Sequence, residues 1–176
     1  MKTQMESSPN SSPPVFVGGP FHHAVSDSGI FDPLVGALIG KIVSALEKAG
    51  FTILSSHLAE EFGQIALDGG EEEIVRRDFG WMQSCGAYVC LLPNHEDGKS
   101  YRSDGCCIEL GWASALKKPT ILVRDMNTSF TDLIVGLGAF ASVKHLPMKE
   151  VANDPNLLIE ALHFLLGAGS MEQAAL

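Results

Sequence analysis

Among the four cysteines, Cys85, Cys90, Cys106 and Cys107, there is no CxxC pair and no histidine at zinc-finger spacing. A zinc ribbon and a disulfide scaffold are thereby disfavoured, no metal site is expected, and a reduced, cytoplasmic setting is implied. The adjacent pair Cys106-Cys107 reads either as a redox or nucleophilic site or, more simply, as small buried hydrophobes. No apolar run approaches the roughly 18 residues of a membrane span, and Met1–Pro14 is polar with no apolar signal-peptide core, so neither a spanning helix nor a signal peptide is expected. Positive charge is scarce as well. Twelve Lys and Arg stand against 21 Asp and Glu, a formal net charge of -9. Such a field repels nucleic acid polymers and anionic lipid surfaces, although a helix N-terminus can still seat one small phosphate. GxGxxG is missing after the first apolar run and GxxxxGKS/T is missing everywhere, which disfavours a standard dinucleotide site and a P-loop.

What is present suffices for one core: 176 residues, 45% of them hydrophobic and only 19% charged. The Ser- and Pro-rich residues 1–14 read as a disordered tail, 15–167 as the folded domain and 168–176 as a C-terminal tail. Val15-Phe16-Val17 is a short buried strand stopped by the turn Gly18-Gly19-Pro20. Leu34, Leu38, Ile42, Ala45 and Leu46 recur at helical spacing over Pro33–Ala49, with Gly50 as the stop. Phe51–Leu54 is a second strand, followed by an irregular stretch to Gly70. Glu71–Ser84 is a helix with three acids in its first turn, and Ala87–Leu92 a central strand. Ser103-Asp104 caps a helix over Gly105–Leu116. Strand Pro119–Val123, short helix Phe130–Leu137, strand Ser142–His145 and helix Pro155–Leu166 complete the chain. This alternation predicts an α/β fold: one doubly wound, Rossmann-like domain with a five-stranded, mainly parallel sheet, its ligands bound beyond the carboxyl ends of the strands.

Two carboxylates stand out. Asp78 lies between Ile74, Val75 and Met82 on the apolar stripe of its helix, where a carboxylate needs either an ion pair with Arg76 or Arg77 or a chemical task. Glu109 sits early in a helix that starts at the crevice, inside the nearly uncharged Cys106-Cys107-Ile108-Glu109-Leu110-Gly111-Trp112-Ala113; the alternative is a surface Glu near Lys117 or Lys118. Two carboxylates at one crevice are the equipment for cleaving a C–O or C–N bond at a sugar's anomeric carbon. His22, His23 and His57 follow strand ends, where they either contact a phosphate or base or are merely solvated. Ser129 and Thr131 precede an apolar helix as caps or as an anion seat.

With Val15-Phe16-Val17-Gly18-Gly19-Pro20-Phe21, Asp78-Phe79-Gly80-Trp81-Met82 and Glu109-Leu110-Gly111-Trp112-Ala113 in this order, the chain resembles the nucleoside 2-deoxyribosyltransferase superfamily over roughly Val15 to Leu146. Gly18-Gly19-Pro20-Phe21, His57 with Glu60-Glu61-Phe62-Gly63, Glu109 through Ser114 and Val135-Gly136-Leu137 look most like its cytidylate hydrolases, the CMP and 5-hydroxymethyl-CMP N-glycosidases. The resemblance implies that Glu109 is the nucleophile on C1′ and that Asp78 positions it and helps protonate the leaving base. Phe16, Gly18, Gly19, Phe21, His22, His57 and Ser114 would surround the substrate, with Ser129 or Thr131 donated across a homodimer. No cofactor is implied. Deoxynucleotide-specific relatives look to have Tyr at Phe16, so Phe there tilts the expectation toward ribonucleotides. Relatives often have Arg at His22, and a Gly-Thr or Gly-Val pair where this chain has Gly105-Cys106. The expected activity is hydrolysis of a CMP-like nucleoside 5′-monophosphate to free base and ribose 5-phosphate. The rivals are deoxyribosyl transfer between bases and a non-catalytic nucleotide-sensing module.

Overall fold

A computed structural model of the chain describes residues 13–26, 28–65, 70–95, 97–101 and 103–173. Five strands are formed: β1 (Val15–Gly18), β2 (Ile53–Leu54), β3 (Ala87–Leu92), β4 (Thr120–Arg124) and β5 (Val143–Pro147). They make a single sheet in the order β2-β1-β3-β4-β5, and every pairing is parallel, where the sequence predicted a mainly parallel sheet. β1, β3 and β4 are buried along their whole length, which is why they read as continuous apolar runs rather than alternating ones.

Alternate residues feed two cores. Val15, Val17, Ala87, Val89, Leu91, Ile121 and Val123 face α1 (Pro33–Lys48), α6 (Met148–Asn153) and α7 (Asn156–Gln173). Phe16, Tyr88, Cys90, Leu92 and Leu122 face α3 (Gly70–Ser84) and α4 (Asp104–Ala115). The start of α1 is set by Asp32, whose carboxylate accepts from Leu34 N at 2.8 Å and Val35 N at 3.1 Å, with Pro33 at the first helical position.

Several boundaries differ from the sequence reading. The stretch after β2 is not irregular: it holds α2 (Ser56–Ala59) and a 3₁₀ turn at Glu61–Gly63, the latter with Glu61 and Phe62 at φ 44° and 55°. Consecutive left-handed non-glycine residues leave no helical periodicity to read. The helix expected at Phe130–Leu137 is shorter, α5 (Asp132–Val135), and is followed by a 3₁₀ turn at Leu137–Ala139; glycines 136 and 138 disfavour a continuous helix. α6 was not anticipated, and α7 runs on to Gln173, into the residues expected as a C-terminal tail. Residues 1–12 of the expected N-terminal tail lie outside the described residues, but its last residue, Pro14, is tied to the domain by Gly86 N, which donates to its carbonyl at 2.8 Å. Among the described residues no helix is long and apolar enough to cross a membrane.

Strand order is what positions a site. The connection from β1 leads outward to β2, and the chain then returns to β3 on the other side of β1, so a crevice opens beyond the carboxyl ends of β1 and β3.

Candidate active site

A cavity of about 550 Å³ occupies that crevice. Its walls come from the turn after β1 (Gly18, Gly19, Phe21, His22), from α2 and the residue after it (Ser56, His57, Glu60), from α3 (Ile74, Asp78) and from the start of α4 (Ser103, Asp104, Gly105, Glu109). The two carboxylates singled out in the sequence, 31 positions apart, therefore line one cavity. So do Gly18, Gly19, Phe21, His22 and His57.

Glu109 reaches the cavity because α4 starts at the crevice. Ser103 caps that helix with extended backbone, its Oγ accepting from Cys106 N at 3.2 Å, and Glu109 follows one turn later. The Tyr88 hydroxyl donates to Glu109 Oε2. Gly18 makes room for the pair, since a Cβ there would stand 2.5 Å from the Tyr88 hydroxyl and closer still to Oε2. Burial, reinforced by the negative charge of Asp78, pushes the Glu109 carboxyl from 4.5 up to about 8, against the Tyr88 hydrogen bond and the Arg77 charge, which lower it. At neutral pH Glu109 holds a proton.

Asp78 forms the expected ion pair with Arg77, whose Nε donates to Oδ1 at 2.8 Å, and it also lines the cavity, with Ser56 Oγ donating to Oδ2 at 3.1 Å. Arg77 Nη2 binds Glu60 Oε1 at 2.7 Å, and its guanidinium lies 4.7 Å over the Trp81 ring. One buried cation thus fixes two cavity carboxylates from behind.

His57 is 1% exposed. Its Nε2 donates to the Pro20 carbonyl at 3.1 Å, and its ring packs against Phe21, Phe31 and Phe62. Burial lowers its pKa, with the Pro20 carbonyl and Asp78 opposing, so the imidazole is a neutral wall that also pins the turn after β1. Gly19 is confined by the same ring, because a Cβ there would lie 3.3 Å from His57 Cε1.

Four expected binding residues do not line the cavity in the single chain. Phe16 is fully buried behind it, packed on Trp81 and Tyr88 with ring centroids 5.8 and 5.3 Å away. Ser114 turns back on its own helix, its Oγ donating to Leu110 O at 2.7 Å. Ser129 is exposed, and Thr131 caps α5, accepting from Leu133 N at 3.4 Å. Sequence reasoning in turn had not placed Ser56, Glu60, Ile74, Ser103, Asp104 and Gly105 on the cavity wall. Ser103 was legible as a helix cap at the crevice, and that signal alone would have placed it there.

The walls carry four carboxylates, Glu60, Asp78, Asp104 and Glu109, and no lysine or arginine is among the lining residues described. No group of three or more His, Cys, Asp or Glu that could hold a metal ion occurs among the described residues.

A family model described as nucleoside 2-deoxyribosyltransferase matches residues 28–161. The chain belongs to the nucleoside 2-deoxyribosyltransferase family. Members of this family are enzymes that act on nucleosides. Among solved structures, the CMP N-glycosidase BcmB of Clostridium botulinum is 19% identical with a TM-score of 0.53, the match covering 81% of this chain and 97% of that one. The solution structure of BlsM is 23% identical with a TM-score of 0.64, covering 81% of this chain and 86% of that one. At such identities the likeness establishes the shared α/β fold. A comparison with curated proteins returns no match.

Proposed function

We propose that this family member hydrolyses the N-glycosidic bond of a pyrimidine nucleoside 5′-monophosphate of the CMP type, giving free base and ribose 5-phosphate. The observation that carries this reading is the pair of carboxylates in one cavity, Glu109 withdrawn from water and Asp78 held by Arg77. The proton on Glu109 passes by way of Asp78 to the departing base. The freed Glu109 carboxylate bonds to C1′ as the C1′–N bond breaks and its electron pair leaves with the base. Water then attacks C1′, releases ribose 5-phosphate and restores Glu109. We assign the 5′-phosphate to the part of the cavity wall that His22, Ser103 and the N-terminus of α4 contribute. The similarity to a structure described as a CMP N-glycosidase supports this substrate choice. We place the protein in the cytoplasm, in keeping with its four free cysteines.

A homodimer completes the proposal. Leu133 and Phe140, 81% and 80% exposed, lie on the same segment as Ser129 and Thr131, and an apolar surface of this kind, covered by a second copy, would carry those hydroxyls toward the neighbouring cavity.

A second reading has its own support. Four carboxylates and no lining lysine or arginine suit an unphosphorylated nucleoside better than a phosphate, as in base exchange by a deoxyribosyltransferase. Chromatography of free base released from CMP, 5-hydroxymethyl-CMP, dCMP, UMP, AMP and GMP, with cytidine as the phosphate-free control and Glu109→Ala as the blank, separates the two. Release from CMP-type substrates and not from cytidine is expected. Exchange products formed from nucleosides with a free acceptor base would establish the transferase instead, and no release from any of them would leave a nucleotide-binding module.

A further inference from the structure

Tyr88 stands near the start of the central strand β3, fully buried, beside its register partner Phe16 on β1. Packing alone asks for nothing more than a phenyl ring there, since Phe16 fills the adjacent space with one. A buried hydroxyl is costly unless it is bonded, and this one donates to Glu109 Oε2. Three elements converge on that contact: β3 supplies the hydroxyl, α4 the carboxyl, and β1 a glycine whose missing side chain leaves the space for both. We infer that Tyr88 is a positioning residue for Glu109, holding Oε2 against the sheet so that Oε1 is the oxygen presented to the anomeric carbon. The inference rests on the role proposed above for Glu109.

The hydroxyl acts as a donor throughout. Burial, together with the neighbouring Cys90 and Glu109, drives the Tyr88 phenol well above its ordinary range, so it keeps its proton while Glu109 ionises. The charged and titratable groups that act on Glu109 are Asp78 and Arg77 from α3, Tyr88 from β3 and Cys106 from α4 itself; Gly18 of β1 brings none. Burial and Asp78 favour the protonated carboxyl. Tyr88 and Arg77 favour the carboxylate, and of these two only Tyr88 touches it. The hydrogen bond therefore places one oxygen and also stabilises the carboxylate that forms when Glu109 gives up its proton.

The test follows the Glu109 carboxyl directly, by NMR titration of the full-length protein labelled with carboxyl-¹³C glutamate, the Glu109 signal being assigned by its loss in Glu109→Gln. In Tyr88→Phe the midpoint is expected to rise by about one pH unit, roughly a tenfold loss of ionised Glu109 at neutral pH. The alkaline limb of kcat/KM, set by the proton that Glu109 passes on, should move up with it, and kcat should fall more than KM changes because the carboxylate that forms is less well stabilised. Fluorotyrosine placed at position 88 keeps the shape of the side chain and donates more strongly, so it should move the midpoint down; it also serves if Tyr88→Phe does not fold. A midpoint that neither replacement moves overturns the inference and makes Tyr88 a core filler. If the midpoints move as expected but the wild-type protein releases no base from any substrate, the coupling stands while the assignment of Glu109 as nucleophile falls.

Discussion

Glu109 is where burial, hydrogen bonding and charge meet, and the consequences of changing it are correspondingly specific. Glu109→Gln keeps the side chain's size and removes the carboxylate proposed as nucleophile. Turnover should drop by about three orders of magnitude or more while binding of substrate, measured by calorimetry, survives. Gly18→Ala tests the same contact from β1. Its methyl group would occupy the space taken by the Glu109 carboxylate and the Tyr88 hydroxyl, so kcat should fall by about 10²-fold with only a modest loss of melting temperature. Wild-type activity in Gly18→Ala would show that this contact has no part in the reaction. Phe16 and Ser114 were legible as part of the resemblance; in the single chain Phe16 packs on Trp81 and Tyr88, and Ser114 bonds its own helix. A motif identifies which positions matter without saying which way their side chains turn.

The decisive element is α3, which carries both Asp78 and the arginine that holds it. Side chains of Arg77, Glu60 and Asp78 are only 11–12% exposed, so Arg77→Ala would strand two nearly buried carboxylates without their cation. A destabilisation of about 3 kcal/mol is expected in urea unfolding, together with a loss of activity that Arg77→Lys restores only in part, because lysine lacks the fork that reaches Glu60 and Asp78 together. The ion pair of Asp78 with a neighbouring arginine was legible in the sequence, since the carboxylate fell on an apolar stripe. Glu60 was not. It stands beside a turn with two left-handed residues, and neither helical nor strand periodicity marks such a segment. The same cause hid α2, whereas α1, α3 and β3 were read nearly to the residue because their apolar spacing is regular.

For the whole molecule, two buried groups shape stability against pH in opposite senses. Glu109 has its carboxyl raised from 4.5 to about 8, so between those values the folded protein holds a proton that the unfolded chain has released, and stability falls as pH rises through that window. His57 is depressed below 6.5, so the unfolded chain takes up a proton below that value that the folded one refuses, and stability falls as pH drops. The two slopes offset one another just below 6.5, and above it Glu109 acts alone. Thermal melts should therefore show a declining midpoint from about pH 6.5 to 8, and Glu109→Gln should remove that decline, a difference of about 1.5 kcal/mol across the window. A wild-type profile that stays flat over this range would contradict the buried, protonated carboxyl. Sedimentation should give a species of twice 18.8 kDa, converted by Leu133→Asp to one of 18.8 kDa if the apolar surface around α5 is the dimer contact.

The sequence by itself determined the layered α/β architecture, because apolar runs of strand length and helical stripes are local patterns that survive without knowledge of their neighbours. It also determined which carboxylates were out of place, since Asp78 and Glu109 each interrupt an apolar context. Only the tertiary structure decided that these two share one cavity, because the strand order brings the ends of β1 and β3 together over a separation no local pattern records. It likewise decided that a tyrosine in the central strand reaches the carboxyl of a helix through the gap left by Gly18, a contact among three residues far apart in the chain, of which the tyrosine gave no local signal.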